Sequence, residues 1–473
     1  MTNRNMMPRA RFAFIVMLAL TLTSCANFSS DGGFTSVSQL TKEKVGADVK
    51  WARTDGERDS IAARVNELLA PSLSVDNAVQ IALLNNRGLQ ADFAELGIAE
   101  ASMVAASRLP NPGFSYIHTK RGEEIEIGRG VHFNLMRLLT MPLAAKMESA
   151  RFEVAQGAAA IAAIRLAGDT RKAYFQAVAA EEGVRYALKV RDVAEASAEL
   201  ARRMAGVGNW SRLQQAREQG FYADAALNFA RAEQARVRSR EALTRLLGLW
   251  GRDTAFVLPE RLPDLPKAAD ERPDIEQRAM ASRLDVMGAK RSAESLAANL
   301  GLSKATRFIN VLETGVTRET SNQAPTRRGY EIAIELPLFD WGTSRIAQAE
   351  TLYRQAINRA AETAINARSE VRESYLGYRV AYDIAKHYRD EVVPIRKRIA
   401  DENLLRYNGM LIGVFDLLSD ARSQISSVNA YIDALRDFWL AESDLQMAMI
   451  GKPSGLRGGE MRATMTSDAG GGH

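Results

Sequence analysis

Between Ile346 and Ala385, small or apolar residues recur at positions 346, 349, 353, 356, 360, 364, 367, 371, 375, 378, 382 and 385. Eleven steps over thirty-nine residues give a period of about 3.55, between the straight helix and the coiled coil. The seam consists of Ala, Ile, Val and Tyr, and its small residues let helices approach closely. A single helix from Trp341 to Gly409 would be roughly 100 Å long at 1.5 Å per residue. Pro394 should kink or interrupt it. An ordinary globular domain does not accommodate such a rod. The segment is either an extended coiled coil or a stave in the wall of a helical barrel.

The chain reads twice through one plan. Arg171-Lys172-Ala173-Tyr174 recurs as Arg372-Glu373-Ser374-Tyr375, Gly206 as Gly409, and Leu246-Leu247-Gly248 as Met449-Ile450-Gly451. The shifts are 201, 203 and 203, so the copies differ by short gaps only. Each copy opens with a medium helix, Val75 to about Leu109 and Ile275 to about Lys304. Two alternating stretches follow, then a long helical segment that runs to a glycine, and another that returns. The copies occupy 72–260 and 261–452, after a linker segment at 25–71 and before a flexible tail at 453–473.

The alternating stretches are strands that a hydropathy average misses. Tyr330, Ile332, Ile334 and Leu336 share one face, and Glu331, Ala333 and Glu335 the other. At the matching place Val131, Phe133 and Leu135 alternate with His132 and Asn134. Partner strands precede them around Phe114–Thr119 and Phe308–Thr317, with turns spanning Lys120–Gly130 and Arg318–Gly329. Each strand is close to the length a tilted membrane strand needs. An apolar face against a polar one suits a barrel with lipid outside and water inside. It equally suits a small sheet packed on a soluble core. Four strands cannot close a lipid-facing barrel, and open edges are intolerable in hydrocarbon. In a membrane, several chains must therefore pool their strands.

The N-terminus favours the membrane. Arg4, Arg9 and Arg11 precede an apolar run from Phe12 to Leu22, followed by Thr23-Ser24-Cys25. This has the grammar of a signal peptide over 1–24. The only cysteine stands at the cleavage point, as in a bacterial lipobox, where the thiol carries a diacylglycerol. Ala26, rather than Asp, favours export to the outer membrane. Loss of the three arginines leaves 59 basic against 57 acidic residues, so a basic surface for nucleic acid loses its support.

No catalytic constellation is present. A single Cys and four scattered His exclude a disulfide framework and a His-cluster metal centre. There is no Walker loop and no serine elbow, and Gly206-Val207-Gly208 is too short for a nucleotide fingerprint. We expect no cofactor and no enzyme. Asp416, Asp420 and Ser423 fall on one helical face after the turn at Gly409, with Arg422 beside it. They form either a solvated face with a helix-terminal acid or a functional cluster. The turns Gly206–Trp210 and Gly409–Val414 reverse the long helices, and their Gly206, Gly208, Gly409 and Gly413 leave room for a partner's helical tip.

These residues together resemble the TolC-like outer membrane factor family from about Leu73 to Lys452. Leu336-Pro337-Leu338-Phe339-Asp340-Trp341-Gly342 looks like its strand-to-helix junction, and Leu109-Pro110-Asn111-Pro112 like its approach to the first strand. Arg272-Pro273-Asp274 resembles the opening of the second repeat, Ser74–Asn86 the first helix, and Arg406-Tyr407-Asn408-Gly409 the approach to the periplasmic turn. The first copy departs at its junction, with Leu139-Thr140-Met141-Pro142. The resemblance implies a mainly α fold with a small transmembrane β part. It implies a homotrimer in which each chain gives four strands to one barrel, continued by a periplasmic helical tunnel. It further implies export in company with a periplasmic adaptor and an inner-membrane pump. It places a constricting aspartate at Asp420, to which the helical spacing adds Asp416. The rival expectation is a periplasmic coiled-coil scaffold lipoprotein without a pore. A cell-envelope hydrolase lacks its catalytic set.

Overall fold

The computed structural model describes residues 27–306, 311–335 and 339–452. Cys25, the signal peptide, Leu336 to Leu338 and the tail from 453 lie outside the described residues. The chain divides into two units. One comprises Met1–Ala167, Thr244–Val257 and Met280–Arg368; the other comprises Gly168–Leu243, Leu258–Ala279 and Ser369–His473. Each unit takes residues from both 72–260 and 261–452, so the expected copies are not laid out as two successive bodies.

The first unit opens with α1 (Phe34–Val45) and α2 (Asp55–Leu69). The expected linker at 25–71 is thus folded from its first described residues onward. Its anchors are aromatic: Phe34 meets Phe93 edge-on at 4.9 Å and Trp51 at 6.2 Å. Thr54 and Glu57 form a capping box at the start of α2. Polar composition concealed a segment that folds by packing three rings and capping its helices.

The expected medium helices are each broken at one residue. In the first copy, α3 (Val75–Asn85) is followed by α4 (Arg87–Ala106). In the second, α7 (Ile275–Ser282) is followed by α8 (Leu284–Ala305). Ser74 caps α3 by accepting from the Asn77 amide, and the Asn86 side chain caps α4 by accepting from the Leu89 amide. Asn85 Nδ2 donates to the Leu247 and Gly248 carbonyls at 3.0 and 2.8 Å, and Asn86 Nδ2 to the Leu246 carbonyl at 2.9 Å. The repeated Leu-Leu-Gly motif is therefore the acceptor side of this clamp. Gly248 has φ 66°, and a Cβ there would stand 2.9 Å from the Asn85 carbonyl oxygen. In the second copy the break falls at Arg283, which is 1% exposed and grips Asp285 through Nε at 3.0 Å and Nη2 at 2.5 Å.

Four antiparallel strands lie in the order β1 (Gly113–Arg121), β2 (Glu124–Asn134), β3 (Leu312–Ser321) and β4 (Arg327–Ile334). The two expected hairpins are present and join through β2 and β3 into one sheet. The strands run further than alternation suggested. The first turn shrinks to Gly122-Glu123, with Gly122 at φ 62°, and the second to Asn322–Thr326. Asn322 ties the tips together, accepting from the Ile125 amide at 2.9 Å and donating to the Glu123 carbonyl at 2.8 Å. Part of the added length, Glu124-Ile125-Glu126-Ile127, does alternate but falls within the stretch expected to be a turn; the remaining added pairs carry mostly Gly, Arg and Thr rather than apolar residues.

At the first junction helix follows strand without a loop. Asn134, the last residue of β2, accepts from the Arg137 amide and starts α5 (Leu135–Gly206). Leu135 is therefore helical, not a strand residue, and Leu139–Pro142 lies inside α5 rather than at the junction. In the second copy Asp340 accepts from the Thr343 amide at 3.0 Å at the start of α9 (Thr343–His387). The two junctions share an Asx cap, which is where the copies should be aligned.

In the second unit, α5 ends at Gly206 and α6 (Arg212–Leu247) begins. The expected rod through Pro394 consists of α9, a π-turn at Tyr388–Val392, and α10 (Val393–Asn408). Val393 N–H reaches the Tyr388 carbonyl, five residues back. Proline has no N–H and crowds the carbonyl four residues before it, which the wider turn relieves. Helix α11 (Val414–Ile450) completes the unit. The seam is real: Ala349, Ala356, Ala367, Val371, Tyr378, Tyr382 and Ala385 are buried. Its tyrosines also hold the segment that opens the second copy. Tyr382 donates to the Pro266 carbonyl at 3.2 Å, and Tyr378 accepts from the Asp270 amide at 3.0 Å. Phe438, fully buried, packs on Tyr378, Tyr382 and Trp439. Among the described residues, no helix is long and apolar enough to cross a membrane.

Candidate functional sites: a two-faced sheet and the helix turns

Directly opposed residues of adjacent strands share a face, so the register sorts every strand position. One face carries Leu312 and Ile334, then Phe133, Thr314 and Ile332, then Phe114, Val131, Val316 and Tyr330. Tyr330, Ile332 and Ile334, expected to face lipid, belong to it, and they are 82%, 59% and 53% exposed. The other face carries Glu124, Glu126, Glu313, Glu319 and Glu331. No acidic residue of the four strands stands on the apolar face. So large an exposed apolar surface marks an interaction with lipid or protein. Within the described residues β1 and β4 are the outer strands of the sheet.

The second site surrounds the turns of the other unit. Glu218 on α6 is fully buried. Arg422 Nη2 reaches both its carboxylate oxygens, at 2.6 and 2.5 Å, and Ser197 on α5 donates a hydroxyl at 2.7 Å. The Arg422 guanidinium also lies 4.1 Å from the Phe221 ring centre. Three helices thus meet on one charge pair. The structure brings Arg422 to Glu218, not to Asp416 or Asp420. Asp420 accepts from the Asn403 amide group on α10. Asp416, in the first turn of α11, accepts from the Gly413 amide at 3.3 Å. There it also opposes the helix dipole. Glu218 and Ser197 were missed by sequence reasoning, since a Glu in an Arg-rich helix has the look of a solvated residue.

The four turn glycines differ in use. Gly208 has φ 80°, whereas Gly409 and Gly413 have φ −78° and −79°. In the second turn the left-handed residue is Met410, at φ 62°. Met410 is 93% exposed and Leu411 77%. Among the described residues, no group of three or more His, Cys, Asp or Glu could hold a metal ion.

No protein-family model matches the sequence. A relative, the cobalt-zinc-cadmium resistance protein CzcC of Cupriavidus metallidurans, is 24% identical over 304 residues, 61% of this chain and 68% of that protein. The solved outer membrane channel CmeC of Campylobacter jejuni superposes with a TM-score of 0.64 at 17% identity, over 90% of this chain and 92% of its own. The open state of the Neisseria gonorrhoeae outer membrane channel MtrE gives 0.67 at 18% identity, over 80% and 89%. The fold expected from the sequence is present: mainly helical, with one small four-stranded antiparallel sheet, as in the solved outer membrane channels.

Proposed function

We propose that this chain, which carries the fold of the outer membrane channels, is the outer-membrane component of a tripartite efflux system. The observation that carries the reading is the sheet. It has an exposed apolar face, a glutamate-bearing opposite face and two outer strands. A face of that kind matches hydrocarbon, and a glutamate face matches a water-filled lumen. Unpaired outer strands cost several kcal/mol per orphaned backbone group in lipid, so copies must pair β1 of one with β4 of the next. Three copies, as in the family the sequence resembles, would close one barrel and gather the long helices into a tunnel.

The turns bearing Gly206, Gly208, Gly409 and Gly413 would then meet the periplasmic adaptor, with Met410 and Leu411 as the apolar contact. An inner-membrane pump would feed the path. Under three-fold symmetry Asp416 and Asp420 become rings of like charge that favour cations. The name of the relative CzcC makes divalent heavy-metal ions the first cargo to test. Cys25 would carry the lipid anchor in the outer membrane, and a Cys25→Ser form should lose labelled palmitate; retained label would refute the lipobox.

The reading is tested on the full chain extracted from membranes. A heat-sensitive trimer in detergent that conducts ions across a planar bilayer supports it. A water-soluble monomer that conducts nothing would refute it and leave the scaffold.

A further inference from the structure

Beyond the Phe114–Val131–Val316–Tyr330 row of the sheet, the register places a row of a different kind. Tyr116, Arg129, Arg318 and Arg328 stand directly opposite one another across β1, β2, β3 and β4. They lie two residues beyond Phe114, Val131, Val316 and Tyr330, hence on the same face and about 7 Å further along the strands. All three arginines are exposed, and none makes an ion pair among the described residues. Beyond it on the same face, His118 stands opposite Ile127 and Lys120 opposite Ile125. The acidic residues of the strands all stand on the other face.

Like charges directly opposed in a sheet destabilise it. Neighbouring strands are about 4.8 Å apart, so three guanidinium stems arise within about 10 Å. A single glutamate among them would relieve the repulsion, yet none is there. A multivalent oxyanion would relieve it equally well, because guanidinium groups bind phosphate oxygens in pairs. The apolar rows alongside specify the rest of the occupant. A ligand that fits both must carry its phosphate next to hydrocarbon chains.

We infer that the Arg129–Arg318–Arg328 row binds the phosphate groups of a phosphorylated lipid in the surrounding leaflet, with its acyl chains along the Phe114–Val131–Val316–Tyr330 row. The inference rests on the proposal that this face meets lipid. In a closed trimer the row would recur around the barrel, as a belt that fixes its depth and draws phosphorylated lipid to it.

The test uses the full-length trimer, delipidated in dodecyl maltoside. It is offered diphosphorylated lipid A or the same lipid with its phosphates removed, and native mass spectrometry counts what binds. The phosphorylated form should bind roughly tenfold tighter or more. The Arg129→Gln, Arg318→Gln, Arg328→Gln triple variant should bind both forms alike. The triple Lys variant should keep most of the preference, and Arg327→Gln on the opposite face should keep all of it. Should the triple Gln variant fail to assemble, Arg328→Gln alone, on an outer strand, should still weaken the preference about threefold. Equal binding of both lipids by the wild type, or an unchanged preference in the assembled Gln variants, would overturn the inference. So would displacement of the lipid by an equal concentration of inorganic phosphate. Bilayer conductance is recorded on the same samples. A conducting trimer without lipid preference refutes this inference alone, whereas a non-conducting soluble monomer refutes the channel reading and this one with it.

Discussion

In the sheet, five glutamates stand on one face and three arginines line up on the other. Around the helix turns, Glu218 is fully buried and meets Arg422, with Ser197 completing its hydrogen bonds. The sheet keeps its glutamates on one face, where Arg121 and Arg327 oppose Glu124 and Glu319, and leaves the arginine row of the other face with no acid beside it. The helix turns pair their charges inside the chain. On the proposed reading, a sheet with an exposed apolar face and two outer strands is completed by lipid, water and further strands. The buried Glu218 carboxylate is satisfied within the chain, by Arg422 and Ser197, and suits helices that must keep one arrangement. The contrast identifies which part of the chain is built for an environment and which for itself.

The contrast can be broken most strongly at the buried pair. Arg422→Ala strands the Glu218 carboxylate and should destabilise the helices near the turns by about 3–5 kcal/mol. Denaturant unfolding monitored by helical circular dichroism would measure it. Replacing both partners, as in Glu218→Met with Arg422→Leu, should recover most of the loss, since no charge is then left unpaired. In the sheet the opposite operation hurts. Ile332→Arg or Ile334→Arg puts charge on the apolar face and should cost about 2–4 kcal/mol, read as loss of trimer on mild gels. Changing Glu331, one residue away, should leave assembly intact and alter conductance. If the two classes respond in reverse order, the register is wrong by one residue.

A smaller effect separates the two turns. Met410 is held at φ 62°, a conformation that costs a non-glycine residue about 1–2 kcal/mol. Met410→Gly should therefore stabilise the second turn by about 0.5–1 kcal/mol, after allowing for the freer unfolded chain. It should also weaken adaptor binding by pull-down, if the exposed thioether is the contact. The smallest effect concerns pH. Asp31 accepts hydrogen bonds from Thr35 and Gly33 at the start of α1, and chiefly the Thr35 hydroxyl holds its pKa near about 2, below the usual 3.8. The folded value is the lower one, so this stabilisation is complete above pH 3.8 and fades as the pH falls toward 2. Hydrogen exchange over residues 31–45 should quicken in that window, and Asp31→Ala should remove the pH dependence.

What is legible in the sequence follows from how each signal is written. The seam on α9 is visible because a small-residue stripe held in phase for eleven steps requires a long helix packed along one side. Pro394 announces an interruption through its missing N–H. The strands are visible only where large apolar residues alternate. Glu124-Ile125-Glu126-Ile127 alternates and could have been read as strand; only where Gly128, Gly130 and the arginines continue the ladder does alternation vanish. For that reason the arginine row is hidden, since it exists only once three strands are in register. The breaks at Asn86 and Arg283 escape notice because one side chain that caps, or one buried Arg–Asp pair, leaves the apolar pattern undisturbed. The folded segment at 34–69 escapes it because its buried apolar residues, Val37, Val49, Ile61, Val65 and Leu68, are spread thinly through polar sequence.

The central claim is that the two faces of this sheet meet lipid and water. It is tested most directly by single cysteines along β4 of the full chain in membranes, in a Cys25→Ser background: Tyr330→Cys, Glu331→Cys, Ile332→Cys and Ala333→Cys. The account predicts alternation. Cysteines at 331 and 333 should react with a charged, water-borne maleimide. Those at 330 and 332 should resist it and, carrying a fluorophore, be quenched by a nitroxide in the acyl chains. Equal labelling at all four positions, or alternation in the opposite phase, would contradict it.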